Sequence, residues 1–115
     1  MIKAIFLDRD GVINHLVERV DGRHTAPWNL DEFRFIDGIQ EACKMFRDNG
    51  YTLFVVTNQP DVENKLLKKE IVLEMHNIIN KKLSIDDIFT CYHNDLNNCT
   101  CRKPKSGMKI GRAHV

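Results

Sequence analysis

The chain has 115 residues, 43% hydrophobic and 29% charged, with a formal net charge of +1. That is enough for one domain around one core, with the composition of a soluble globular protein. The near-neutral charge leaves no basic field for nucleic acid or membrane, no apolar run approaches the roughly 20 residues of a membrane span, and the N-terminus has no signal-peptide layout. A cytoplasmic, monomeric enzyme or binding domain is the expectation.

The chain opens with Ile2-Lys3-Ala4-Ile5-Phe6-Leu7, which stops at Asp8-Arg9-Asp10-Gly11. Such a run suits a buried strand of a parallel sheet. Asp8 and Asp10 would then stand at the carboxyl end of the strand, where α/β sheets bind ligands. Residues 14–36 read as irregular. A helix is predicted from Asp37, with Asp37 as its cap, Ile39, Ala42, Cys43 and Phe46 on the buried face, and Gly50 after its end. Tyr51 to Val56 is a second strand, stopped by Thr57-Asn58-Gln59-Pro60. A longer helix follows over about Leu66 to Lys82, with Leu67, Ile71, Met75 and Ile78 as its apolar stripe. Ile85 to Tyr92 reads as a third strand. This alternation implies an α/β fold, a parallel sheet with right-handed crossovers.

Three segments carry chemistry. A carboxylate is ionised at neutral pH, with an unperturbed pKa near 4, and can attack phosphorus to give an aspartyl-phosphate. Attack on an anionic phosphate needs charge neutralisation, typically by Mg²⁺ held on carboxylates, while a second carboxylate handles the proton of the leaving group and of water. Thr57 and Asn58 end the second strand and can donate hydrogen bonds to phosphate oxygens. Arg102 and Lys103, in Cys101-Arg102-Lys103-Pro104-Lys105-Ser106-Gly107-Met108, are cations suited to phosphate. Cys91-x-His93 and Cys99-x-Cys101 supply three thiolates and an imidazole, a closed four-ligand set suited to structural Zn²⁺. His15, His24 and His76 have no partner visible in sequence and read as surface or loop residues. Cys43 reads as core, and Trp28 as a packing residue at least as readily as a substrate contact.

Taken together, Phe6-Leu7-Asp8-Arg9-Asp10-Gly11-Val12-Ile13-Asn14, Val55-Val56-Thr57-Asn58-Gln59 and the segment from Cys101 to Met108 resemble the haloacid dehalogenase superfamily of phosphohydrolases, subfamily IIIA. The resemblance extends to its small histidinol-phosphate and heptose-bisphosphate phosphatase branch. The resemblance implies a Rossmann-like core without a large cap domain. It implies Asp8 as nucleophile and Asp10 as general acid and base, with Mg²⁺ on Asp8 and the backbone carbonyl of Asp10. Thr57, Asn58 and Lys103 would bind the phosphoryl group and Arg102 the substrate. The zinc loop 91–101 occurs in the same branch and would hold Arg102 and Lys103 in place.

The implied activity is Mg-dependent phosphomonoester hydrolysis of a small phosphorylated metabolite. The first expectation is D-glycero-D-manno-heptose 1,7-bisphosphate losing its 7-phosphate, and the second is histidinol phosphate. A catalytically inactive zinc-binding fragment is the alternative from another class. The sequence departs from the branch in two places. After Gln59 the substrate-binding arginine of relatives is missing, with Lys65 as candidate replacement. The superfamily's fourth motif, a Gly-Asp followed by further acids, does not follow Met108. Residues 1–108 therefore read as a partial phosphatase domain and 109–115 as a non-native tail, because Ile110-Gly111-Arg112-Ala113-His114-Val115 can be encoded by the start of a common sequencing adapter.

Overall fold

The structure, a computed structural model, describes residues 3–92. In chain order it contains β1 (Lys3–Asp8), a small hairpin of β2 (Val17–Glu18) and β3 (His24–Thr25), a single 3-10 turn (Leu30–Glu32), α1 (Ile39–Asp48), β4 (Tyr51–Asn58), α2 (Pro60–Glu63), α3 (Lys69–Leu83) and β5 (Asp87–Cys91). The expected α/β architecture is present: β1, β4 and β5 form a parallel sheet with β4 in the centre. No cap domain interrupts the described residues. Residues 14–36, expected to be irregular, contain the β2–β3 hairpin.

Side-chain alternation divides the sheet into two faces. Leu53 and Val55 are fully buried and pack with Ile5, Leu7 and Ile88 against Ile39 and Cys43 of α1 and Ile79 and Leu83 of α3. The other face carries Phe6, Phe54 and Phe89, whose rings follow one another at centroid distances of 5.2 and 6.0 Å. Two aspartates at the entrance to β5 are an unfavourable start for a strand, yet each has a use. The Asp86 carboxylate accepts from the Leu53 N–H at 2.7 Å, and that of Asp87 accepts from the N–H of Ile88 at 2.8 Å.

Both long helices differ in detail from their sequence reading. The cap of α1 is Gly38, at φ 87°, rather than Asp37, which lies one residue further out. On α3 the buried positions are Val72, Met75, His76, Ile79 and Leu83. Ile71 and Ile78 are only half-buried, and Leu67 precedes the helix while packing on Val72 and Met75. The expected stripe is thus rotated by about one residue. His76, a polar residue, lies inside the buried face.

Large-to-small changes in a packed core cost about 2–5 kcal/mol. Ile79→Ala, on a fully buried side chain, is therefore expected to lose about 2–5 kcal/mol in urea denaturation. Leu73→Ala, on a side chain 49% exposed, is expected to lose less than about 1 kcal/mol. Equal losses would contradict the observed face of α3.

Candidate active site

β1 ends at Asp8, which is exposed at the carboxyl edge of the sheet. The chain then turns sharply. The Arg9 carbonyl accepts from the N–H groups of Val12, Ile13 and Asn14 at 3.3, 2.8 and 3.2 Å, and the Gly11 N–H donates to the Asn14 carbonyl at 2.7 Å. Gly11 sits at φ 91°, a region that a β-carbon disfavours. Space is not the constraint there, since an added Cβ would meet only Leu16, at 3.8 Å. The glycine of the Asp-x-Asp-Gly pattern is therefore a backbone requirement of the turn that sets Asn14 against Asp10.

Asp10 is the most heavily bonded side chain of the site. Its Oδ1 accepts from Arg9 Nε at 3.1 Å, Arg9 Nη2 at 2.7 Å and Asn14 Nδ2 at 2.9 Å. Its Oδ2 accepts from Gln59 Nε2 at 2.7 Å and the Thr57 hydroxyl at 3.4 Å. Gln59 Nε2 also donates to Thr57 Oγ1 at 2.8 Å. Both amides direct their NH₂ groups inward, and Asn14 Oδ1 and Gln59 Oε1 find no partner among the described residues. The turn after β1 and the end of β4 are joined through one carboxylate.

Arg9 is itself fully buried. A buried guanidinium has to be paired, and its other end meets α3: Nη1 lies 3.3 Å from His76 Nε2, with the Phe33 ring centroid 5.9 Å from the guanidinium carbon. His76 is only 8% exposed, which corrects its reading as a surface or loop residue. Burial, then the Arg9 charge, push its pKa down from 6.5 to about 4, with Asp10 acting weakly in the opposite direction.

A cleft of about 260 Å³ opens beside Asp10, between the β2–β3 hairpin and the end of β4; it is lined by Asp10, Leu16, His24, Asn58, Gln59 and Asp61, among others. Thr57 is buried and faces Asp10, whereas Asn58 lines the cleft. His15 is exposed, and His24 belongs to β3 at the cleft wall. Trp28 braces that wall: its Nε1 donates to Asp61 Oδ2 at 2.8 Å, and the Arg19 guanidinium stacks 3.5 Å from its ring centroid while pairing with Glu32 at 2.7 Å. Lys65 is exposed at φ 64° and is not among the cleft-lining residues. Cys43 is buried and free, as expected of a core thiol.

The sequence profile of the polynucleotide kinase 3 phosphatase family matches residues 4–111. The chain belongs to this family. Among curated relatives it is 38% identical to D-glycero-alpha-D-manno-heptose-1,7-bisphosphate 7-phosphatase of Campylobacter jejuni, over 94% of this chain and 60% of that protein. It is 36% identical to D-glycero-beta-D-manno-heptose-1,7-bisphosphate 7-phosphatase of Neisseria meningitidis, over 93% of this chain and 57% of that one. A solved D,D-heptose 1.7-bisphosphate phosphatase from B. bronchiseptica, complexed with magnesium and phosphate, superposes with a TM-score of 0.78 at 29% identity, covering 93% of this chain and 59% of that one. The chain spans about 60% of the length of these relatives. The resemblance to haloacid dehalogenase phosphatases of subfamily IIIA is borne out.

Within this family frame, the structure brings together Asp10, Thr57 and Asn58 at one edge of the sheet, with Asp8 at the end of the neighbouring strand. His93, Cys99, Cys101, Arg102 and Lys103 lie outside the described residues. Cys91 is buried at the end of β5. Among the described residues no group of three or more His, Cys, Asp or Glu is placed to hold a metal. The donors at the Asp8–Asp10 edge are hard oxygens, the chemistry that fits Mg²⁺. Arg9, Asn14 and Gln59 had no role in the sequence reading. The available signal was Arg9 itself, a cation between two acids at the end of an apolar strand.

The depressed pKa of His76 has a consequence for stability. The unfolded chain takes up a proton at His76 near pH 6.5, before the folded chain does near pH 4. Its contribution is therefore complete above pH 6.5 and is lost as pH falls toward 4, by an amount on the order of 2–3 kcal/mol. In urea titrations from pH 7 to 4.5, the wild-type chain is expected to lose stability more steeply than His76→Gln. Parallel curves would contradict the assignment.

Proposed function

We propose that the chain carries the nucleophile and acid/base residues of a magnesium-dependent phosphomonoester hydrolase that acts through an aspartyl-phosphate. The proposed substrate is D-glycero-D-manno-heptose 1,7-bisphosphate, which loses its 7-phosphate. The observation that carries the reading is the exposed Asp8 at the end of β1, next to an Asp10 carboxylate held from both the β1 turn and β4. The heptose-bisphosphate phosphatase names of the relatives, and the magnesium and phosphate of the solved neighbour, support the substrate class and the metal.

In the proposed reaction an Asp8 carboxylate oxygen attacks phosphorus, and the phosphorus–oxygen bond to the sugar breaks. Asp10, which enters this step protonated, gives that proton to the departing alkoxide. Asp10 then takes a proton from water, the water oxygen attacks phosphorus, and inorganic phosphate leaves with Asp8 regenerated. Oδ1 of Asp10 accepts three hydrogen bonds, whereas Oδ2 accepts one short and one 3.4 Å bond. Oδ2 is therefore the oxygen with capacity for proton transfer. Asn58 donates to the phosphoryl oxygens from the cleft, and Thr57 steadies Oδ2. Magnesium, when bound, neutralises charge between nucleophile and phosphate. Asp8 and the backbone carbonyl of Asp10 would hold it. Arg102 and Lys103 complete the anion-binding set in this reading.

Zinc on Cys91, His93, Cys99 and Cys101 is proposed as a structural metal. The Cys91 carbonyl accepts from the Gln59 N–H at 2.7 Å, so the zinc loop would begin one hydrogen bond away from the residue that holds Asp10. About one zinc per chain, with free thiols after its removal, is expected by metal analysis and thiol titration. A zinc-free chain with Cys91 oxidised to a disulfide would contradict the proposal.

Asp8→Asn is expected to lower kcat by about 10⁴-fold or more while leaving zinc content unchanged; retained turnover would exclude Asp8 as nucleophile. Across a panel of heptose bisphosphate, histidinol phosphate and a 3′-phosphorylated oligonucleotide, the first is expected to give the highest kcat/KM. A preference for either of the others would reassign the substrate.

A further inference from the structure

We infer that His76 is a positioning residue. Its neutral imidazole holds the far end of Arg9, and through Arg9 it sets the aim of Asp10. The catalytic consequence rests on the hydrolase reading above; the structural link does not.

His76 is the one buried polar residue of α3, surrounded along the helix by Val72, Met75, Ile79 and Leu83. Its partner is 67 residues away in sequence, in the turn after β1. Arginine is a donor only, so at the 3.3 Å contact Nε2 must be the acceptor and the ring proton sits on Nδ1. Arg9 is then held at both ends of its guanidinium. Nε and Nη2 grip Oδ1 of Asp10, Nη1 is docked on His76, and the Phe33 ring lies alongside. Asn14 and Gln59 fix the Asp10 carboxylate from the other directions. Without an acceptor at position 76, the Nη1 edge of a fully buried cation loses its partner on α3. The guanidinium is then free to tilt, and Oδ1 of Asp10 follows it. Helix α3 thereby contributes to a site that none of its residues lines.

Two substitutions separate this role from packing. His76→Gln keeps an acceptor where Nε2 stands, whereas His76→Leu keeps volume and removes it. The first readout is the Arg9 Nε–H resonance in ¹⁵N-correlated NMR of the full chain, assigned by its loss in Arg9→Lys. In wild type and His76→Gln it is expected to be shifted and slow to exchange with solvent. In His76→Leu it is expected to move and to exchange faster. The second readout is turnover: kcat of His76→Leu is expected to fall about 10- to 100-fold with KM changed less than about twofold, and His76→Gln to recover most of it. Should His76→Leu not fold, His76→Asn, whose acceptor is too short to reach Arg9, takes its place. An Arg9 resonance indifferent to all three substitutions overturns the link. A displaced resonance with unchanged kcat overturns the effect on Asp10. If wild type turns over none of the panel substrates, the hydrolase reading fails on its own, and the Arg9 resonance still decides the link.

Discussion

The site depends on one constraint, the burial of the Arg9 guanidinium between a strand end and a helix. A charge taken wholly out of water must be matched by hydrogen bonds of good geometry, and removing either partner leaves an uncompensated cation. Arg9 meets that demand with Asp10 on one side and His76 on the other. The same bonds that make its burial tolerable orient Asp10. Stability of the turn and orientation of the Asp10 carboxylate are thus one arrangement, seen from the cation and from the anion.

The surrounding fold supplies the geometry for this. Parallel pairing of β1 with β4 sets Asp8 opposite Val56, so Thr57 and Asn58 run just past the end of β1. Alternation along β4 then turns Thr57 inward toward Asp10 and Asn58 toward the cleft. Gly11, at positive φ, lets the chain reverse tightly enough for Asn14 to close on the same carboxylate. The opposite wall of the cleft is the β2–β3 hairpin, tied to the start of α2 through Trp28 and Asp61.

The elements whose signal is local were legible in the sequence. The apolar run into Asp8 and the run through Val56 are strands β1 and β4, and strands of a parallel sheet covered by helices read as near-continuous apolar segments. The carboxyl-end location of Asp8, Asp10, Thr57 and Asn58 followed from that alone. What escaped was long-range pairing. His76 reads as a surface residue because its partner lies 67 residues away in sequence, and a histidine on an apolar stripe shifts the apparent phase of the helix. Arg9, Asn14 and Gln59 lie in the segments around Asp8 and Thr57, but only the folded turn makes them donors to one carboxylate. The cap at Gly38 rather than Asp37 turns on a backbone dihedral that side-chain chemistry does not announce.

The most direct test of the account is chemical trapping of the intermediate. The full chain, supplied with Mg²⁺ and heptose bisphosphate, is quenched during turnover and treated with borohydride, which reduces an acyl phosphate to the alcohol. Peptide mass spectrometry is expected to find homoserine in place of aspartate at position 8 and at no other position. Turnover without reduction at Asp8, or reduction at a different carboxylate, would contradict the account.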